Sequence, residues 1–493
     1  MSSRSAVLLN EFDNVLVLPE GGAKGERAGD IVLLEEIPPG HKVARKDIPA
    51  GDAVVKYGSP IGTATDAIAR GAWVHVHNVA TRLGDEDALP QRHGGVTPCA
   101  GEPVKKEAPV FLGYERAWGR PGIRNDLWVV PTVGCIDGEL RGILRNFQKP
   151  AWIDDVRILE HPYGCSQLGD DLDATIAILS GLALNPNAAG VLLVGLGCES
   201  LQVEMLAARV CEKNPLRPFE VLNLQDDPED LVPAALKKMA AEAPRERTEF
   251  PLSELCAGVK CGGSDGYSGL TANPLAGRFA DFLTMRGGTI LATEIPEMFG
   301  AEDVVAARIA DEGVFRDFLE MDEWFRGFFR RYGQPICENP SPGNRAGGIT
   351  TLEEKSLGAV EKAGSARVTR VLKYGEQAGG EGGVQIVFSP GNDLVSCTAL
   401  AGSGAQIVLF TTGRGTPFGT VVPTVKISTN TPLAQKRPGW IDFDAGTLLS
   451  GESWKDASAR LTDFVIAVAS GKKAAHERKG FGEIAIFKDG VTL

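Results

Sequence analysis

Four apolar runs between residues 128 and 225 (WVVPTVGC, VRILEHPYGC, AGVLLVGLGCES and FEVLNLQ) follow one another closely. Most lead into stretches of helical period such as 171–184 and 201–213. A strand that is apolar along its length is buried on both faces, and strand alternating with helix builds a parallel sheet covered by helices. The pattern returns in SELCAGVKCGGSDG and GGTILATEIPEMFGAED, with the long amphipathic stretch 302–332. It returns again, after the polar break ENPSPGNRAGGITTLEEK, in VQIVFSPGND, AQIVLFTTGRG and TVKISTN, before a helix ending near Ser470. Residues 6–81 differ: short alternating stretches (NVLVL, DIVLL, AVVKYG, WVHVHN) are cut by Gly, Pro and Asp turns, the mark of a β-rich unit. The expected fold is α/β, with a small β domain at 1–82, a polar Gly- and Pro-rich linker at 83–110, a central α/β domain at 111–345 and a C-terminal α/β domain at 346–493. Both larger domains are expected to carry mostly parallel sheets, and three domains suit 493 residues at roughly 150 each.

The chain carries 51 basic and 64 acidic side chains, a net charge of −13, with no basic cluster. That excludes the electrostatic footprint of a nucleic-acid or anionic-membrane partner. An anionic substrate must then be met locally, by a metal, an arginine or a helix N-terminus. The longest apolar run, 188–198, is about half a bilayer span, and Glu11 and Asp13 interrupt the N-terminus, so a soluble, cytoplasmic protein is expected. Nine cysteines, odd in number and without CxxC spacing, read as reduced thiols.

In such folds ligands bind beyond the carboxyl ends of the strands. Cys135, Cys165, Cys198 and Cys261 stand at four of these positions, each beside a glycine, and polar residues accompany them: His161, Gln167, Asp170, Asp171, Glu199, Ser264 and Asp265. A cysteine taken singly reads as a small buried hydrophobe. Taken together, the four suit thiolate ligation of a metal, an iron–sulfur cluster or the lining of an anion pocket. Their spacing does not choose, and a single ion with the thiols lining its pocket or giving a ligand or two is preferred to a cluster.

Only six histidines occur. In HVHN, read as strand, His75 and His77 share a face and could grip one divalent cation, or be two outward polar positions of a half-buried strand. His41 and Lys42 follow a turn, with Lys56 and Tyr57 in the same small domain; His93 and His476 read as structural. TTLEE offers Thr350 or Thr351 as a helix cap with Glu353 or Glu354 three residues on, a capping box whose helix N-terminus suits a carboxylate, although capping alone explains it. FTTGRGTPFG supplies Thr411, Thr412 and the planar fork of Arg414. GLGCES lacks the third glycine of a dinucleotide loop, and no GK[ST] follows TGRG, so nucleotide binding has little support.

Taken in order, GHKVA, VKYGSPIG, HVHN, GIRNDLWVVPTVGC, HPYGCSQLGDD, GLGCES, KCGGSDGYSGLTANP, TEIPEMFGAE, ENPSPGNRAGGITTLEEKSLG, SPGND, LFTTGRGTPFG, VPTVKISTN and WIDFDAG resemble the altronate and galactarate dehydratase family over essentially the whole chain. HVHN is similar to the altronate members. The resemblance implies an N-terminal β-clip (SAF) domain and a hydro-lyase that converts D-altronate to 2-dehydro-3-deoxy-D-gluconate in hexuronate breakdown. It also implies dependence on Fe2+ or Mn2+, with a small-molecule sugar acid as the partner; a homodimer is expected. Removing the proton α to a carboxylate creates an enediolate that needs a metal or cationic clamp, and the departing C3 hydroxyl needs a general acid. His41, Lys42 and His161 are then the candidates for proton transfer. His75 and His77, with Cys135, Cys165, Cys198 and Cys261, are the candidates for the metal. Thr411, Thr412, Arg414, Asn344, Ser264 and Asp265 are the candidates for substrate. A galactarate dehydratase, a sulfolactate-type lyase and a non-catalytic carbohydrate-binding protein are the competing readings.

Overall fold

The computed structural model describes residues 3–84 and 109–490. Most of the expected linker, with His93, lies outside them. The N-terminal domain contains two three-stranded antiparallel sheets. One orders β1 (Val15–Leu18), β2 (His41–Ala44) and β5 (Trp73–Val74). The other orders β3 (Ala53–Lys56), β4 (Ser59–Ala64) and β6 (Val79–Ala80). Every residue of β2, HKVA, is buried, so the strand carries an imidazole and an ammonium into the interior, where each must find a partner.

The middle domain is a four-stranded parallel sheet in the order β8 (Val156–Ile158), β7 (Asp126–Pro131), β9 (Ala188–Gly195), β10 (Glu220–Asn223). Its crossover helices include α1 (Gly169–Ala183) and α2 (Val203–Lys213), and α3 (Leu231–Glu242) follows its last strand. All six residues of β7 are buried, as its unbroken apolar run requires.

The C-terminal domain is a seven-stranded parallel sheet. Its strands are β11 (Cys256–Cys261), β12 (Thr289–Ala292), β13 (Val368–Leu372), β14 (Gly383–Val387), β15 (Ile407–Thr412), β16 (Thr424–Ser428) and β17 (Phe443–Asp444), in the order β13-β14-β12-β11-β15-β16-β17. The chain builds outward from β11 on one side and returns to β15 on the other, which makes the gap between β11 and β15 a topological switch point. The helices α4 (Ala272–Thr284) and α7 (Asp393–Gly402), which bracket that gap, contribute to different hydrophobic cores, Leu275 and Phe279 to one and Ala399 and Leu400 to the other.

The expected boundary at 345/346 falls inside this sheet and is corrected: β11 and β12 pair with strands of the last third of the chain, so the C-terminal unit begins near residue 252. The Gly- and Pro-rich segment 339–348 resembles a linker in composition, yet it is a loop clamped against another domain. The N-terminal domain is likewise docked. Val15, Ala44, Val54, Ile61 and Val74 share one core with Leu275, Leu352 and Leu357, the last two on α6 (Leu352–Val360). Among the described residues no helix is long and apolar enough to cross a membrane.

Candidate active site

The loop after β11 meets the N-terminal domain along a seam that segment 341–348 fills, and the Arg414 turn after β15 bonds that segment. Ser341 caps a short helix in a capping box with Asn344, whose amide also donates to the Ser264 carbonyl at 2.8 Å. Gly266 N–H donates to the Gly347 carbonyl at 2.7 Å. A β-carbon on Gly266 would lie 2.1 Å from the Gly40 carbonyl oxygen, and one on Gly348, at φ +102°, would lie 2.7 Å from the same oxygen. Only glycine permits this approach, and it brings His41 against the 346–348 turn.

His41 is buried between domains. Its Nδ1 accepts from the Trp73 indole N–H at 3.2 Å and its Nε2 faces the Ala346 carbonyl at 3.4 Å. An indole only donates, so the proton of the neutral ring sits on Nε2. The His75 ring stands 4.8 Å from His41, centroid to centroid, and stacks on Trp73 at 5.1 Å, while His77 lies 5.2 Å from Trp73. Burial, then the Lys42 ammonium, holds His41 below its ordinary pKa; burial, Lys42 and His41 bring His75 down to about 4. Both rings are neutral at pH 7, and His75 Nδ1 is buried without a hydrogen-bond partner among the described residues.

Behind them lies a charged triad. Fully buried Lys42 donates to the Gly348 carbonyl at 2.7 Å and to Glu354 at 2.9 Å, and Lys56 reaches the same carboxylate at 2.8 Å. Burial alone would raise Glu354, but the two ammonium groups hold it far below the carboxylate range, while burial lowers Lys42 to about 8. Two lysines on one carboxylate leave a net positive charge behind the His41 turn, an attractor for an anion in a low-dielectric setting.

After β11, Asp265 is buried without a cationic partner among the described residues. It accepts from Thr429 at 2.9 Å, Asn430 at 3.2 Å, Ser268 and the Tyr267 N–H, and burial raises it to about 6 despite those bonds. Arg414, exposed at the rim, bonds the Gly343 carbonyl at 3.2 Å and pairs with no carboxylate among the described residues. Arg414→Lys is expected to lower kcat/KM by about ten- to a thousand-fold, ~1.4–4 kcal/mol, since an ammonium cannot reproduce a bidentate fork. Steady-state kinetics at parity with wild type would remove Arg414 from the site.

Several expectations are corrected. HVHN is not strand: β5 ends at Val74, and Asn78 closes a turn by accepting from His75 N–H at 2.9 Å and donating to the Trp73 carbonyl at 2.8 Å. The shared-face argument therefore fails, and it is Trp73 that gathers the two rings. Lys42 has all its donors engaged, by the Gly348 carbonyl and the Glu354 carboxylate, and holds the Gly348 turn. His161 belongs to the middle domain, where Nε2 meets the Pro131 carbonyl at 2.9 Å, Nδ1 accepts from Tyr163 N–H and burial lowers it to about 4. Thr411 turns inward to Asn273, and the Thr412 hydroxyl accepts from Gly415 N–H, shaping the Arg414 turn. Thr351 caps α6, but the Glu354 carboxylate binds Thr350 and the lysines instead of closing a capping box, so that helix N-terminus is already occupied.

The four cysteines do not converge. Cys135, Cys165 and Cys198 are exposed at the edge of the middle sheet, whereas Cys261 is buried at the end of β11, with the Lys362 ammonium 3.5 Å away. Burial and Glu294 push its thiol up to about 12. Cys261, Glu294 and Glu297 are the only group of three ligand-type residues close enough to hold one ion among the described residues. Lys260, Lys355 and Lys362 already neutralise both carboxylates, which leaves no charge for a divalent cation.

Sequence reasoning missed Glu354 as the hub, and Trp73 and Tyr267, whose hydroxyl donates to the Pro19 carbonyl at 2.7 Å. The signal for Glu354 was present in lysines 42 and 56 within apolar strands, each of which requires a buried acid.

Residues 4–82 match the family described as altronate/galactarate dehydratase SAF domain. Residues 113–245 match the D-galactarate dehydratase/altronate hydrolase second domain, and residues 252–492 the D-galactarate/altronate dehydratase C-terminal domain. Over 99% of its length the chain is 46% identical to the altronate dehydratase of Bacillus subtilis (strain 168), covering 100% of that protein. It is 44% identical over 99% of both chains to the altronate dehydratase of Escherichia coli (strain K12). With the galactarate dehydratase (L-threo-forming) of the latter organism it shares 34% identity over 95% of this chain and 93% of that one.

Proposed function

The chain belongs to the altronate/galactarate dehydratase family, and on that footing we propose that it is a hydro-lyase that dehydrates D-altronate to 2-dehydro-3-deoxy-D-gluconate in cytoplasmic hexuronate (galacturonate) catabolism, working as a homodimer. The observation that carries this reading is the seam itself, where neutral His41 and a buried excess positive charge pack against segment 346–348 and Arg414, paired with no carboxylate among the described residues, bonds the same segment at Gly343. Arg414 binds the substrate carboxylate at the rim. Asp265, held near 6, takes the C2 proton, and the Lys42/Lys56 charge favours the enediolate that results. The Nε2–H of the neutral His41 hydrogen-bonds the departing C3 hydroxyl, which leaves as water with the proton that Asp265 took from C2, and the enol product then tautomerises to the ketone. His75 and His77 would hold Fe2+ or Mn2+, which supplies Lewis-acid stabilisation when bound; the neutral state of His75 and its Nδ1, unpartnered among the described residues, fit a ligand role.

Assay of anaerobically purified protein with either metal on D-altronate, galactarate and sulfolactate, reading the 2-keto acid released, tests the proposal. Absence of product from D-altronate overturns it. If Asp265 is the base, kcat/KM has an acid limb near pH 6, lost as the carboxyl protonates and absent from the residual activity of Asp265→Asn. A limb that persists in that variant assigns the base elsewhere.

A further inference from the structure

Cysteine is among the most buried residue types, and an exposed one is uncommon. Cys135, Cys165 and Cys198 are all exposed, and they follow the carboxyl ends of β7, β8 and β9, three neighbouring strands in the order β8-β7-β9. Adjacent strands lie about 4.8 Å apart, so the three loops crowd one edge of the sheet. They are also bonded to one another around residues 163–164. Gly134 N–H donates to the Tyr163 carbonyl at 3.0 Å, while Ser200 and Leu201 N–H donate to the Gly164 carbonyl at 3.0 and 3.1 Å. Each cysteine is therefore one or two residues from a bond that joins its loop to the next.

Glu199, the acid beside Cys198, points inward. Its carboxylate accepts from the Thr132 hydroxyl and from Leu196 and Gly197 N–H, all at 2.6–2.9 Å, and so fastens the β7 loop to the β9 loop. It offers nothing to the surface, where the thiols stand without a carboxylate competitor from this turn.

The sulfur spacing discriminates between kinds of metal centre. An ion about 2.3 Å from each thiolate holds the sulfurs within about 4.6 Å of one another. These three do not all lie within 4.8 Å, since the only group of three that does so among the described residues is the one around Cys261. The edge is too wide for one ion yet is drawn together by its backbone. We infer that Cys135, Cys165 and Cys198 are the thiolate ligands of an iron–sulfur cluster of the four-iron class, carried on the middle domain. Three protein thiolates leave one iron of such a cluster for a water or an oxygen ligand. The inference rests on the middle sheet alone and not on the dehydratase reading of the seam.

The full chain, purified without oxygen and reconstituted with ferrous iron and sulfide, tests it. Expected are broad visible absorbance and about four acid-labile sulfides per chain. Both should fall several-fold in each of Cys135→Ser, Cys165→Ser and Cys198→Ser, and remain in Cys211→Ser, an exposed cysteine on α2. Unchanged circular dichroism and melting temperature show that the variants fold. Wild-type protein without sulfide, full sulfide in any of the three variants, or loss in Cys211→Ser as well overturns the inference. Conversion of D-altronate, measured on the same samples, separates the two readings. Sulfide without conversion overturns the proposed activity alone, and conversion without sulfide overturns the cluster alone.

Discussion

Glu354→Ala is expected to cost ~3–5 kcal/mol of stability, because it strands two buried ammonium groups that share one carboxylate. The loss reflects the desolvated charges left behind more than the strength of the ion pairs. Removing the charges as well, with Lys42→Met and Lys56→Met added, should recover much of it, and chemical denaturation of the single and triple variants measures both. A loss below about 1 kcal/mol in Glu354→Ala would mean that water reaches the triad and that the seam is not dry. The pH dependence has a definite sign. The folded-state pKa of Glu354 is depressed from its ordinary 4.5, so its contribution is complete above that value and is lost as pH falls through the folded pKa. Acid should therefore loosen the N-terminal domain from the C-terminal one.

His41→Ala is expected to lower kcat by ~10²–10³-fold, the range over which one preorganised hydrogen-bond donor to developing charge acts. Trp73→Phe should give a smaller loss, since it keeps the stacking surface for His75 but removes the indole N–H that fixes the His41 proton on Nε2. Pre-steady-state and steady-state rates on D-altronate read both. Wild-type kcat in His41→Ala would leave the seam without its donor and move the chemistry elsewhere.

The contrast between Lys42 and His41, neighbours in one strand, shows where sequence reading ends. Both were legible as candidates, because a histidine and a lysine beside a turn in an apolar strand must be either exposed or partnered. Their roles were not legible. Lys42 is consumed by Glu354, 312 residues away, and His41 takes its tautomer from Trp73, 32 residues away. The same holds for HVHN, where alternation suggested strand until Asn78 bonded back across the turn, and for the four cysteines, alike in local setting but divided between two sheets.

By itself the sequence determined the α/β class, the β-rich N-terminal unit and the strand-end positions at which chemistry would gather, because hydrophobic period and glycine turns are local properties of the chain. The order of its blocks also determined the family. Only the tertiary structure decided that 339–348 is a seam and not a linker, that β11 and β12 belong with the last third of the chain, and which titratable groups are neutral, paired or open. Strand order and burial are fixed by contacts between residues hundreds of positions apart, and a side chain's charge state follows from that burial, so no local pattern encodes either.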